Sequence, residues 1–275
     1  MLKQAVCALT LAAALTVNLP CHANEEIGHL AFDFSDSRYE EPGLMKETGV
    51  FYGLHMDWLG VIDHVGAIGI RAQYRGSDVD YDGATQSGTP VKSKGRDSVL
   101  GIEVTYGWTF RPGGIRVTPY SGIGYRNWRD RIEDSTTAGG TPVYGYRREI
   151  VYFYLPVGLH FADAGSERWG WTARAQGNYL IRGKVYSHLE DTDPGYDTLN
   201  NTQKHGYGYE VAVAWSYHFN DDRWVGFFVE PYYTYWKIKD SDKVDLNYYG
   251  VPIGYAYEPA NKTKVVGVRV GWEYR

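Results

Sequence analysis

Three acidic residues at alternate positions could hold a metal ion. Asp78, Asp80 and Asp82 are followed by Gly83, and a calcium loop combines alternate carboxylates with a glycine that permits a sharp turn. The twelfth position is Thr89, where such a loop needs a bidentate glutamate. The stretch therefore offers half of a calcium ligand set, and the alternative is a solvated acidic loop that continues from a strand.

A nucleophile, a base and an acid also lie close together in the sequence, at Ser187, His188 and Glu190. Adjacent residues of a strand point to opposite faces, so Ser187 and His188 cannot readily share the hydrogen bond of a catalytic triad. We therefore favour polar residues at the end of a strand over a triad.

Composition and charge narrow the class of protein. The chain has 275 residues and a formal charge of -5, with 28 basic and 33 acidic residues that are well mixed, which does not indicate a nucleic-acid-binding surface. No apolar run is long enough for a membrane-spanning helix. Residues 1–23 have the basic start, apolar stretch and small-residue end of a cleaved secretory signal. The two cysteines, Cys7 and Cys21, fall within this signal, so residues 24–275 are expected to have neither disulfides nor thiol chemistry. These residues are expected to form one domain.

Alternation of apolar and polar residues is the dominant pattern of the exported chain and predicts an all-β fold. From Val266 to Tyr274, every second residue is bulky and apolar, and the intervening residues are glycine or charged. A membrane barrel presents its apolar face to lipid and needs aromatic girdles at the interfaces. Aromatic residues cluster beside one set of expected chain reversals and the C-terminus: Trp58, Trp108, Phe110, Phe161, Trp169, Trp171, Phe219, Trp272 and Tyr274.

The connections between strands alternate in length. Ten strands are predicted at 27–36, 47–58, 65–75, 97–110, 115–129, 142–162, 168–188, 205–219, 223–239 and 262–275. The short connections are at 59–64, 111–114, 163–167 and 220–222, and the long ones at 76–96, 131–141, 189–204 and 240–261. This pattern predicts a closed antiparallel transmembrane β-barrel with short periplasmic turns and long outer loops.

Two stretches of the sequence resemble the omptins, the ten-stranded outer-membrane proteases. One runs from Tyr106-Gly107-Trp108 through Pro112 to Gly122-Ile123-Gly124-Tyr125-Arg126, and the other from Trp171 through Tyr209-Glu210-Val211-Ala212-Val213 to Trp236. The similarity covers most of the barrel and is one of topology. It implies a closed barrel at the surface of a Gram-negative cell.

The resemblance also implies where a protease site would lie. Omptins use an aspartate pair on one wall and an Asp-x-His pair on the other. The matching segments contain Asp78 and Asp80, and then Asp191, but the later segment lacks the Asp-x-His spacing and His188 is its nearest imidazole. Activated-water proteolysis needs a proton acceptor. An omptin-like hydrolase that uses these four residues is therefore an alternative hypothesis, and a non-enzymatic role is favoured.

Charged side chains are expected to fill the barrel. A barrel of this size is only slightly wider than eight-stranded barrels, which side chains fill, and buried ions must be paired. The expected lumen network is Arg71, Arg75, Glu103, Arg116, Arg126, Arg148, Arg174, Arg182, Glu210, Glu230, Arg269 and Glu273. The alternative is a narrow passive channel that prefers anions because of the arginine excess.

The expected function lies in the outer loops, and it is structural or adhesin-like binding. Tyrosines suit recognition because they supply rigid amphipathic contact area, although they can equally form an outer girdle. The candidates are Tyr196, Tyr248, Tyr249, Tyr255 and Tyr257. The expected partners are outer-membrane lipid and lipopolysaccharide, the barrel-assembly machinery and an unidentified extracellular ligand, without nucleic acid or a cofactor. The protein is expected to be integral to the bacterial outer membrane, with its loops extracellular.

Overall fold

A computed structural model describes residues 25–62, 66–85, 87–163, 168–219 and 225–275. The expected signal at 1–23 lies outside these ranges. The strands are β1 (Glu25–Glu41), β2 (Met45–Ile62), β3 (Gly66–Ala84), β4 (Pro90–Gly107), β5 (Ile115–Ile132), β6 (Ser135–Thr136), β7 (Pro142–Val143), β8 (Arg147–Asp163), β9 (Trp169–Ser187), β10 (Leu199–Gln203), β11 (Gly206–His218), β12 (Gly226–Ile238), β13 (Val244–Tyr248), β14 (Val251–Ala256) and β15 (Asn261–Tyr274). In the described part of the chain, no helix has the length and apolar character needed to cross a membrane.

Ten of these strands form a closed antiparallel barrel, which confirms the predicted fold class. The ring runs β1, β2, β3, β4, β5, β8, β9, β11, β12 and β15. It closes where β15 pairs with β1, from Gly28 opposite Tyr274 to Glu40 opposite Lys262. β10 continues the ladder of β9 beyond the end of β11. The strands β13 and β14 form a separate hairpin between β12 and β15.

Apolar side chains cover the outside of the barrel in a band that we call the apolar belt. On β4 its members run from Leu100 to Trp108 at alternate positions and are 37 to 58% exposed. These nine residues match the length of a strand that crosses a bilayer. Other members are Leu30, Phe32, Phe34, Tyr52, Tyr74, Ile123, Phe153, Leu155, Val157, Ile181, Val211, Val213, Trp215, Phe227, Val229 and Val266. The belt is the surface that a membrane barrel turns to lipid.

Several strands are longer than the sequence predicted, at the end of the barrel with the long connections. β3 and β4 continue to Ala84 and Pro90, so most of the loop expected at 76–96 is strand. The alternation is lost there because both faces beyond the belt carry polar residues. We call the strand segments beyond the belt the outer extension: residues 36–41, 45–49, 76–84, 90–98, 127–132 and 147–150.

At the opposite end, the connection at 111–114 is the only expected short turn that lies wholly within the described ranges. Gly113 and Gly114 have positive φ values of 59° and 82°, a conformation that glycine adopts without steric cost. They allow the tight reversal between β4 and β5.

Candidate functional site

Ion pairs cross the middle of the lumen. Arg174 on β9 donates to Asp57 on β2 at 3.0 Å and to Glu210 on β11 at 2.9 Å. Arg71 on β3 lies 3.2 Å from Glu103 and 3.5 Å from Glu210. Since β9 and β2 are on opposite sides of the ring, these side chains bridge the interior.

A second group of charges lies beside the closing strand. Arg269 on β15 pairs with Asp33 on β1 at 3.3 Å and with Glu230 on β12. Its guanidinium also lies 3.9 Å from the ring centre of Tyr232. Arg75 donates to Ser35 and to the hydroxyl of Tyr232, both at 3.3 Å. These contacts connect β1, β3, β12 and β15 inside the barrel.

A histidine network fills the end with the short turns. The ring nitrogens of His29 lie 2.8 Å from Asp57 and 2.8 Å from Glu273. His218 approaches the other carboxylate oxygen of Glu273 at 3.0 Å. Arg116, expected in the lumen network, pairs with Glu25 at 3.2 Å at this end. The sequence analysis did not include the histidines, although His29, His55 and His218 occupy inward positions of the alternation.

An aromatic cluster fills the lumen above the central ion pairs. Tyr152 and Tyr154 pack against Trp236, with ring centres 6.0 and 5.1 Å apart. Arg126 sits among them and lies 4.9 Å from the ring centre of Trp128. A cavity of about 30 Å³ separates this cluster from Arg71 and Glu210, and one of about 40 Å³ lies beside Asp57 and His160. Each has room for about one water.

Arg182, which was expected in the lumen, instead lies exposed on the outside. The reason is a β-bulge in β9: Phe153 pairs with Arg182 while Tyr154 pairs with Leu180, which leaves Ile181 as an extra residue. An extra residue reverses the alternation beyond it. Both Ile181 and Arg182 therefore face outwards, and Gly183 faces in.

The residues considered for a hydrolase lie on the outer extension and in the loop after β9. Asp78 pairs with Arg96 at 3.2 Å, and Asp80 pairs with Lys94. Asp191 is held by Arg147 at 2.7 Å, and that interaction lowers the pKa of Asp191.

His188 contacts Glu190 at 2.9 Å and Thr198 at 3.2 Å. Within the described ranges, no hydrogen bond joins His188 to Asp78 or Asp80. Asp78, Asp80 and His188 line one groove, but each aspartate pairs with a cation and the histidine with Glu190, and Asp191 is not in that lining.

The three aspartates of the calcium-like stretch lie along β3 instead of curling around an ion. Asp82 pairs with Lys46 at 3.3 Å, and the other two have the cationic partners described above. Each carboxylate is therefore neutralised by a lysine or an arginine on a neighbouring strand.

The candidate recognition tyrosines lie on or beside the β13–β14 hairpin. Tyr196 and Tyr248 contact each other with ring centres 5.1 Å apart, and Tyr248 donates to Asp193 at 3.3 Å. Tyr249, Tyr255 and Tyr257 are 51 to 74% exposed. The first pair thus anchors the hairpin to the neighbouring loop, and the other three face outwards.

The outer extension also contains a buried acidic cluster that the sequence analysis did not find. Glu47, Asp97 and Asp130 project inwards from β2, β4 and β5 and are at most 2% exposed. Burial, together with neighbouring carboxylates, raises the pKa of all three groups. The signal was present in the sequence, because Glu47 and Asp97 occupy inward positions of the strands predicted at 47–58 and 97–110. Asp130 takes the next inward position after the strand predicted at 115–129.

Arg148 is the cation of this cluster. It pairs with Glu41 at 2.7 Å, Asp130 at 3.0 Å, Glu258 at 3.4 Å and Glu47 at 3.6 Å. It was expected in the lumen network, and the structure places it at the top of the lumen.

Comparison with solved structures supports the topology. The outer membrane protease OmpT from Escherichia coli aligns with a TM-score of 0.61 at 12% identity, over 94% of this chain and 99% of that chain. The transport unit of the autotransporter AIDA-I from Escherichia coli aligns with a TM-score of 0.42 at 11% identity, over 98% of this chain and 96% of that one. No protein-family model matches the sequence, and no curated protein matches it. The alignment with OmpT and the closed ring of ten strands show the omptin-like topology of an outer-membrane β-barrel, as the sequence predicted.

Proposed function

We propose that the chain is an integral outer-membrane protein that binds a protein partner at the cell surface through the β13–β14 hairpin. The observation that carries this proposal is an apolar patch on the hairpin. Val251, Ile253 and Tyr255 are exposed on β14, with Tyr249 and Tyr257 beside them. Soluble surfaces rarely keep such a patch unless it binds something, and aromatic residues are enriched in protein interfaces.

The tip of the hairpin supports a binding role independently. Tyr249 has a φ of 47° and is followed by Gly250 at 74°. Asparagine suits the first of these positions in a two-residue turn, whereas a tyrosine there is strained. The strained residue presents an aromatic ring that is 74% exposed at the turn of the hairpin, packed edge-on against Tyr248.

The hairpin is also held in place before binding. The backbone N–H of Tyr249 donates to the carbonyl of Gly195 at 2.6 Å, and Asn247 donates to Asp197 at 3.3 Å. A surface that is already ordered loses less conformational entropy when it binds. Long connections at this end of the barrel support an extracellular orientation, because outer-membrane barrels carry their long loops outside.

Attachment of whole cells tests the proposal. The parent and Tyr249→Asn chains are expressed in a non-adherent Gram-negative host, and attached bacteria are counted on cultured epithelial cells. Tyr249→Asn should leave the barrel folded, because asparagine fits the turn, but should reduce attachment several-fold. Leu44→Ser, which changes an exposed apolar residue in the β1–β2 turn, is the matched control and should attach like the parent. No attachment by the parent, or equal attachment by Tyr249→Asn, would contradict the proposal.

Lipopolysaccharide is the proposed lipid partner. A groove on the outer wall beyond the apolar belt is lined by five arginines, Arg96, Arg129, Arg131, Arg147 and Arg148, and by carboxylates between them. Arg96 pairs with Asp78 and Arg129 lies 3.7 Å from Glu149, so a phosphate would compete with these carboxylates. Arginine pairs well with phosphate because its planar group can donate two hydrogen bonds at once. This position next to the belt suits contact with anionic headgroups, and the double variant Arg129→Glu/Arg131→Glu should co-purify with less lipopolysaccharide.

The hydrolase alternative has less support, since its acidic residues pair with cations and do not contact His188. The channel alternative has less support because ion pairs and aromatic rings fill the lumen.

A further inference from the structure

Three buried carboxylates converge at the top of the lumen. Glu47, Asp97 and Asp130 each place one carboxylate oxygen within 4.8 Å of the other two. Asp97 and Asp130 are direct cross-strand partners on β4 and β5, and Glu47 reaches them from β2 past Val79. The cluster lies in the outer extension, beyond the apolar belt.

Four oxygens of this cluster have no hydrogen-bond partner although they are buried. They are both oxygens of Glu47, Oδ1 of Asp97 and Oδ1 of Asp130. Buried polar atoms in proteins are nearly always hydrogen-bonded, so each exception needs an explanation. Unsatisfied oxygens on three converging carboxylates are the ligands that a cation would take.

The remaining aspartate oxygens are held by neighbouring donors. Trp128 Nε1 donates to Asp97 Oδ2 at 2.9 Å, and Arg148 Nε donates to Asp130 Oδ2 at 3.1 Å. Each aspartate is thus fixed through one oxygen, while its Oδ1 has no donor except a proton that the two aspartates could share. Metal sites commonly orient their ligands through outer donors in this way.

The charge of the cluster also calls for a further cation. Glu41 and Glu258 lie against the same guanidinium, that of Arg148, as do Glu47 and Asp130. Asp97, the cross-strand partner of Asp130, is the fifth buried carboxylate of this region. One positive charge cannot neutralise five buried carboxylates, and unpaired buried charges are strongly unfavourable. Either protons or a metal ion must supply the missing positive charge.

We infer that Glu47, Asp97 and Asp130 bind a hard divalent cation, with calcium the best match. Calcium takes carboxylate oxygens in irregular arrangements, whereas magnesium demands near-ideal octahedral geometry and keeps several waters. The ligand set has no nitrogen or sulfur, which zinc usually takes. The bound ion would join β2, β4 and β5 above the membrane.

Calcium titration of the full chain tests this inference. The protein is refolded in detergent without lipopolysaccharide, treated with a chelator and exchanged into chelator-free buffer. Calorimetric titration with calcium chloride should give one ion per chain. Terbium, a calcium substitute, should emit when tryptophan is excited, because Trp128 contacts the ligand Asp97.

Glu47→Gln separates binding from folding. It should weaken calcium affinity at least tenfold and abolish the calcium-dependent rise of the unfolding temperature. Without calcium it should raise that temperature, because it removes one charge from a repulsive cluster. Asp80→Asn, which changes an exposed carboxylate paired with Lys94, should behave like the parent. Absence of calcium binding by the parent at millimolar concentration, or unchanged affinity in Glu47→Gln, would overturn the inference in favour of carboxylates that share protons.

Discussion

At the scale of single residues, Glu210 is the central acceptor of the lumen. It receives Arg174 at 2.9 Å, lies 3.6 Å from Arg269, and accepts from Thr234 at 3.3 Å. Arg71, Arg174 and Arg269 share this carboxylate, and each keeps at least one other acidic partner. We expect Glu210→Ala to lower the free energy of unfolding in detergent by about 3 to 5 kcal/mol, because three buried cations lose a shared negative charge. Thermal or urea unfolding of the refolded barrel measures the change.

Asp78→Ala provides the comparison, because its ion pair with Arg96 is exposed on the outer wall. Exposed ion pairs contribute about 0 to 1 kcal/mol, so this variant should unfold almost like the parent. Equal effects of the two substitutions would mean that water reaches Glu210 and that the lumen is not packed.

Glu258 makes the stability of the calcium-free protein depend on pH. Burial raises its pKa to about 7, whereas an unfolded glutamate titrates near 4.3. The folded state therefore holds a proton that the unfolded state releases, so this contribution is complete below about pH 4 and is lost as the pH rises through 7. The titratable or charged groups that face it are Tyr39, Glu41, Asp130, Tyr146 and Arg148.

We expect the chelated protein to unfold at a lower temperature at pH 8 than at pH 5, and Glu258→Gln to reduce that difference. Unfolding scans across this pH range measure both. If Glu258→Gln and the parent show the same difference in unfolding temperature between pH 5 and pH 8, other carboxylates of the cluster hold the proton.

Much of the lumen network could be predicted from alternation alone, because Arg71, Arg174 and Glu210 lie on strands whose outer faces are apolar. The acidic cluster was missed although Glu47 and Asp97 occupy inward positions of the strands predicted at 47–58 and 97–110. Only Asp130 lies beyond the predicted end of its strand, at 129. The sequence also gave no information about which side chains meet across the lumen, since partners such as Arg174 and Asp57 are joined only by closure of the ring.

At the scale of elements, the bulge in β9 has a counterpart in the next strand. Ile181 and Arg182 both face outwards, and beside them Lys204 and His205 interrupt the run from β10 to β11 and are both exposed. The ladder between these two strands keeps the same register on both sides of the interruption. The extra residue in one strand is therefore matched by one in its neighbour.

We expect deletion of Arg182 together with His205 to give a folded barrel, because both extra residues are removed and the faces beyond them are preserved. Either single deletion should fold less well, because it shifts the pairing register between the two strands on one side of the interruption. The shift in gel mobility between heated and unheated samples reports the folded fraction. A double deletion that folds no better than the single ones would show that the bulges are not matched.

This bulge also marks the limit of prediction at the scale of elements. Alternation placed the ten strands and their order, but it assumes an unbroken period of two. A single extra residue moved Arg182 from the expected lumen to the outside, and the one local sign of the bulge is Gly183, which follows it in the sequence.

At the scale of the whole molecule, the filled lumen predicts that the protein does not conduct ions. Conduction needs a continuous water path, and the central cavities each have room for about one water. Planar-bilayer recordings of the parent should show no steady current. Steady anion-selective current would favour the channel alternative and would also predict that Glu210→Ala changes selectivity more than stability.

Closure of the barrel determines the order in which its interactions can form. Tyr232 and Arg269 meet Asp33 across 199 and 236 residues of chain, and β1 can pair with β15 only after the last strand has been exported. Contacts so distant in sequence slow folding, and the apolar belt stays exposed to water until they form, which promotes aggregation. The chain must therefore be kept from aggregating until β15, which is fourteen residues long, has paired with β1.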